Sequence, residues 1–135
     1  MLPENTGLSL GEYAACPTKT YHINLRDKCI KGKCDGIEAM RQAIYKTLAT
    51  VRLRHIVYSA GYGTDLMDYM DRLAPYVWCE IERTITTALM RDDRVLAVKD
   101  FDFAEDKKTK VLKVSFFVET TEGNFDYEWE VNGFV

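Results

Sequence analysis

The sequence is informative first in what it is short of. No apolar run approaches the roughly 20 residues that a membrane-spanning helix needs, so no spanning helix and no membrane partner are expected. Basic residues are outnumbered, 18 Lys and Arg against 21 Asp and Glu, for a net charge of -3. That balance offers no broad attraction to phosphate backbones, and nucleic acid is not expected as a partner. Histidine occurs twice, as His22 and His55, and neither lies in a nucleophile motif, so Ser–His or Cys–His catalysis has no visible machinery.

Metal and cofactor chemistry are equally thin. A zinc site needs about four suitably spaced ligands, and only Cys29 and Cys34 are close in sequence, with His22 upstream and His55 far off. Gly61-Tyr62-Gly63 has neither the lysine of a phosphate loop nor dinucleotide-binding spacing, and it reads as a turn. No metal and no cofactor are expected. The first residues, Met1 to Asn5, lack the basic-then-apolar order of a secretory signal. The expected compartment is the cytoplasm, where four cysteines stay as free thiols.

Carboxylates are abundant, and glycoside hydrolysis needs only two at a set separation. Asp92 and Asp93, however, lie between Arg91 and Arg94, which hold them ionised rather than raising one as a general acid.

What is present is enough apolar residue, 47% of 135, for one cooperative core. Residues 1–17 carry Pro3, Gly7, Gly11 and Pro17 without a sustained period and predict a flexible, extended arm able to order on a partner; 18–135 form the single domain. Thr20 to Leu25 alternates Tyr21, Ile23 and Leu25 with polar residues, a half-buried strand, and a short edge strand can follow around Ile30. From Asp35, a natural helix cap, Ile37, Met40, Ile44 and Leu48 recur at helical spacing. Thr64 can cap a short helix through Met70 with Leu66, Met67 and Met70 inward.

The second long helix opens at Pro75 and places Val77, Trp78, Ile81, Ile85, Ala88 and Leu89 on one face, with Cys79 read as core beside Trp78. It turns into strand across Asp92 and Asp93. Leu112, Val114, Phe116 and Val118 then alternate with polar residues, as do Phe125, Tyr127, Trp129 and Val131 with Asp126, Glu128 and Glu130. Thr121-Glu122-Gly123-Asn124 suits a hairpin between them. The expected class is α+β, a small antiparallel sheet of three to four strands packed against two main helices.

The order of pieces carries a resemblance. A strand, the helix with Gly36-Ile37-Glu38-Ala39-Met40-Arg41-Gln42-Ala43-Ile44-Tyr45, the corner from Ile56 to Gly63, the helix ending Ala88-Leu89-Met90-Arg91-Asp92-Asp93-Arg94 and a strand hairpin follow in turn. This resembles the contractile-tail baseplate wedge family, in its Gram-positive phage and phage-tail-like bacteriocin branch, over about residues 18 to 130. The resemblance implies a structural protein, related to the gene 25 wedge protein, that joins the baseplate to the first sheath ring and initiates sheath assembly by strand addition. It implies the tail sheath, other wedge proteins and central hub or tube proteins as partners, with assembly in the bacterial cytoplasm.

The wider family's Glu-Pro-Arg motif falls on Asp92, Asp93 and Arg94, which the resemblance makes a docking corner. Leu112, Val114, Phe116, Val118, Phe125, Tyr127 and Trp129 then mark the strands a sheath arm would extend. A peptidoglycan hydrolase and a cytoplasmic binding module with no tail role are the alternatives.

Overall fold

The computed structural model describes residues 17–66 and 75–132. In chain order these form β1 (Thr20–Asn24), β2 (Cys29–Cys34), α1 (Gly36–Ala49), α2 (Pro75–Leu89), β3 (Val95–Asp106), β4 (Val111–Thr120) and β5 (Gly123–Asn132). The class is α+β, as expected, but the strands divide into two antiparallel sheets, β1-β2 and β3-β4-β5. Both helices lie on one face of the larger sheet, α1 against β5 and α2 against β3. All but Pro17 of the expected arm, and the expected short helix beyond Leu66, lie outside the described residues.

Helix α1 starts where Asp35 accepts the Gly36 N–H at 2.8 Å and the Thr18 hydroxyl. Met40, Ile44 and Leu48 are buried, as their spacing requires. Ile37 instead lies across Gly123 at the sheet's end, where a Cβ on that glycine would stand 2.9 Å from Ile37 Cδ1. The helix stops at Thr50, whose N–H and hydroxyl both donate to the Lys46 carbonyl, at 3.1 and 2.6 Å.

The β1–β2 hairpin departs from the alternation seen in sequence. Tyr21 and Leu25 are 66% and 56% exposed, and only Ile23 of the three is half-buried. The cause is that the hairpin docks through its backbone. Gln42 on α1 donates from Nε2 to the Tyr21 carbonyl at 2.7 Å and accepts the Ile23 N–H at 2.9 Å, so one amide side chain satisfies a stretch of strand edge.

In α2, Val77, Ile81, Ile85, Ala88 and Leu89 are buried. Cys79 is not core but exposed. Two residues past Val77 is a rotation of about 200°, which turns its thiol away from the sheet.

Strand β3 carries Val95, Val98 and Phe101 three residues apart, a spacing that does not fit the period of two of a regular strand. Two bulges reconcile it. Val95↔Thr120 is followed by Ala97↔Glu119, and Lys99↔Phe117 by Asp102↔Ser115, so each step inserts one extra residue and switches face. Asp100, at φ +57°, marks the second bulge. Val98, Phe101 and Phe103 thereby return to the core side with Val95.

The β4–β5 ladder runs without interruption from Val111↔Asn132 to Thr120↔Gly123. The hairpin expected at Thr121 to Asn124 closes with two turn residues, Thr121 and Glu122. There the Thr120 hydroxyl donates to the Gly123 carbonyl at 2.6 Å and accepts the Glu122 N–H at 3.3 Å.

Candidate docking surface at one end of the sheet

The α2–β3 connection is a locked corner. Asp92 N–H donates to the Leu89 carbonyl at 3.1 Å and Val95 N–H to the Asp92 carbonyl at 3.0 Å. The Asp92 carboxylate accepts three bonds from Arg94: its N–H at 3.0 Å, Nε at 3.0 Å and Nη2 at 2.7 Å. A proline would fix such a turn through its ring; here a side chain gripping the backbone two residues on does it.

Burial pushes the Asp92 carboxyl up, but the hydrogen bonds and charge of Arg94 outweigh it and hold the group below its usual 3.8. Asp92 is therefore an ionised strut, unsuited to general-acid work. Its lowered value gives stability that is present above 3.8 and is lost as pH falls through the folded-state value.

The corner is tied to the sheet, because Thr121 N–H of the β4–β5 turn donates to the Arg94 carbonyl at 3.0 Å. Asp92, Asp93 and Arg94 are thus brought together beside that turn, with Asp93 exposed. Met90 and Leu96, 44% and 57% exposed, flank them. Sequence gives little sign of these two, since Leu96 sits in an apolar run whose facing the first bulge resets.

The seven strand residues marked in sequence occupy different places. Leu112, Val114, Phe116 and Val118 belong to β4, the central strand, and are at most 2% exposed. Both edges of that strand are already paired, and these side chains pack the core. On β5, Phe125 is buried under the Arg41 guanidinium, 4.6 Å from the ring centroid. Tyr127 and Trp129 are partly buried, 5.6 Å from Phe116 and 5.8 Å from Tyr45. What β5 offers outward is a backbone edge that pairs with no other strand among the described residues, and the exposed row Asp126, Glu128 and Glu130.

Tyr127 gives a direct check of this packing. Burial, with Tyr45 nearby, pushes its phenol from 10.0 up to about 12, against a smaller opposing effect of Arg41. Because the folded state favours the neutral phenol, the associated stability is complete below 10 and is lost as pH rises toward 12. Phenolate absorbance should show a step near 12 that Tyr127→Phe removes. Absence of that step would contradict the burial of the ring.

Among the described residues, no three His, Cys, Asp or Glu side chains converge to hold a metal. An open strand edge on a helix-backed sheet, ending in a rigid polar corner, is the equipment of an assembly protein that docks other chains. The chain belongs to the contractile injection system sheath initiator family, whose model matches residues 17–123. It is also similar to the phage-like element PBSX protein XkdS of Bacillus subtilis (strain 168), 36% identical over 115 residues that cover 82% of this chain and 80% of the relative.

The protein is therefore a baseplate component that starts sheath assembly in a contractile injection system. Its family is structural and not enzymatic, which sets aside the hydrolase alternative, and membership implies contact with the sheath.

Proposed function

We propose that the sheath initiator presents the open edge of β5 as the template on which an arm of the first sheath ring adds a strand, with the Asp92-Asp93-Arg94 corner guiding the arm at the sheet's end. The observation that carries this is the contrast between the two edges. β5 is ten residues long with an unbroken register, whereas β3 is bulged twice, and a bulged edge resists further pairing. Asp126 and Glu128, beside a Glu130 that already pairs with Lys113 at 3.2 Å, favour an arm with Lys or Arg at alternate positions, since opposite charges across a strand pair stabilise it and like charges do the reverse.

In this reading the β4 residues act indirectly, by holding β5 extended and backed. The remaining contacts, to other wedge proteins and to central hub or tube proteins, fall on other surfaces. Assembly takes place in the bacterial cytoplasm, in a phage-like particle of the kind named for the relative.

Hydrogen exchange of the chain mixed with purified sheath protein tests the reading. Alternate β5 amides should become protected while β3 amides do not. Arg94→Ala should keep the turn, because the residue-94 N–H still bonds Asp92, at a loss of about 1 kcal/mol, and should weaken β5 protection. Protection along β3, protection of neither strand, or wild-type protection in Arg94→Ala would each count against the part of the reading it addresses.

A further inference from the structure

Gly61-Tyr62-Gly63 reads in sequence as a turn, yet the structure builds residues 51–64 into a closed loop with an apolar tip. At its root Thr64 N–H donates to the Thr50 carbonyl at 2.9 Å, Arg52 N–H to the Thr64 carbonyl at 3.2 Å, and Arg52 Nε to Asp65 at 2.9 Å. Farther out Arg91 donates to the Gly61 carbonyl. The Tyr58 and Tyr62 rings lie 4.6 Å apart, with His55 edge-on to Tyr58 at 6.0 Å. On this frame Leu53, Ile56 and Val57 are 69%, 104% and 85% exposed. A loop already ordered with aliphatic groups in water gives a partner burial without the entropic cost of arranging the chain.

The surrounding charge says what kind of partner fits. Residues 51–64 include Arg52 and Arg54 and no carboxylate, in a chain whose net charge is -3. Between the loop's root and α2 opens a cleft of about 260 Å³ in which Arg52, Arg83 and Arg91 face Asp65 and Glu80. Arg52 is paired with Asp65 and Arg91 is engaged by Gly61, while Arg54 and Arg83 form no ion pair with a described residue. Guanidinium groups beside aliphatic side chains favour carboxylates beside aliphatic side chains. The carboxylate row of β5 selects the opposite charge, so the two surfaces suit different segments.

We propose that the 51–64 loop and the α2 cleft dock a segment of a second baseplate protein, one that carries aliphatic side chains next to carboxylates. The aliphatic groups cover Ile56 and Val57, and a carboxylate enters the cleft toward Arg83. This inference rests on membership of the sheath initiator family, and its choice of a partner other than sheath rests on the β5 reading above. Arg91, which holds the loop at Gly61, adjoins the Asp92 corner in sequence.

The test places a benzophenone amino acid at position 56 of the full chain, assembles contractile particles with it, and sequences the photo-crosslinked peptides. The expected adduct is a segment of one baseplate protein other than sheath, with Asp or Glu close to the linked residue. Arg83→Glu in the same chain should lower its yield about fivefold or more, with unchanged melting because Arg83 is exposed. If that variant does not fold, Arg54→Glu gives the same reading. Adducts on sheath, on another copy of this chain, on lipid or on a segment without carboxylates would overturn the proposal. So would no adduct, or a yield indifferent to both reversals. Failure of the β5 template would appear separately, as absent strand protection in the hydrogen-exchange measurement.

Discussion

Phe116→Ala should remove about 3–5 kcal/mol of folding stability, while Phe117→Ala, one residue along, should remove about 1 kcal/mol. Phe116 is 2% exposed at the centre of β4, with Phe101 at 5.3 Å and Tyr127 at 5.6 Å. Truncating it loses the transfer free energy of a ring and leaves a cavity that neighbours from three strands cannot all fill. Phe117 points to the other face, where its ring lies under Lys99 Nζ at 5.4 Å. Since domains of this size hold about 5–15 kcal/mol in total, the first variant should lose a large share of its stability and the second only a small one. Urea unfolding of the pair checks it. Equal losses, or the reverse order, would mean that β4 is slipped by one residue, because a single-residue slip exchanges the faces.

The same contrast explains what the sequence could show. β4 and β5 each bury one face, so Leu112 to Val118 and Phe125 to Val131 announce their strands by strict alternation. α2 announces itself by Val77, Ile81 and Ile85. β3 announces only its start after Asp92 and Asp93, because its bulges break the period further on, and a bulge depends on pairing with β4 that no local pattern records. The β1–β2 hairpin is misleading for a related reason: Gln42, distant in sequence, holds its backbone, so Tyr21 and Leu25 need not be buried.

At the docking surface, the polar run Asp92-Asp93-Arg94 is legible as a turn, but the direction of the Arg94 fork is not. Its guanidinium closes on Asp92 within the chain, so the corner is rigid before any partner arrives. Alternation also marks the β4 residues without telling a central strand from an edge. That distinction is why the proposed template is the β5 backbone and not the β4 side chains. The loop tip at Ile56 and Val57 had no periodic signal, and only the closure of the loop makes it a surface.

That closure depends on Gly63. Gly63 has φ +93°, and a Cβ there would stand 2.6 Å from the Thr50 carbonyl oxygen and 3.1 Å from the Arg52 nitrogen. Both are backbone atoms, and both take part in the hydrogen bonds that join residues 50–52 to Thr64. Gly63→Ala therefore combines an unfavourable φ with a clash that can be relieved only by opening the loop's root, an expected loss of about 2–4 kcal/mol. Gly61→Ala is the control. Its Cβ would also meet an atom at 2.6 Å, but that atom is Nη1 at the end of the Arg91 side chain, which can swing away, so the loss should stay near 1 kcal/mol or below. Thermal unfolding ranks the two, and hydrogen exchange at the Thr64 amide reports the root directly. A Gly63→Ala protein with wild-type stability and a protected Thr64 amide would show that these contacts do not hold the loop. Where the root does open, Ile56 and Val57 lose their fixed presentation while the β4–β5 ladder, which shares no hydrogen bond with the loop, stays paired. Gly63→Ala should therefore keep β5 protection by sheath and lose the photo-crosslink at position 56, which separates the two docking surfaces within one chain.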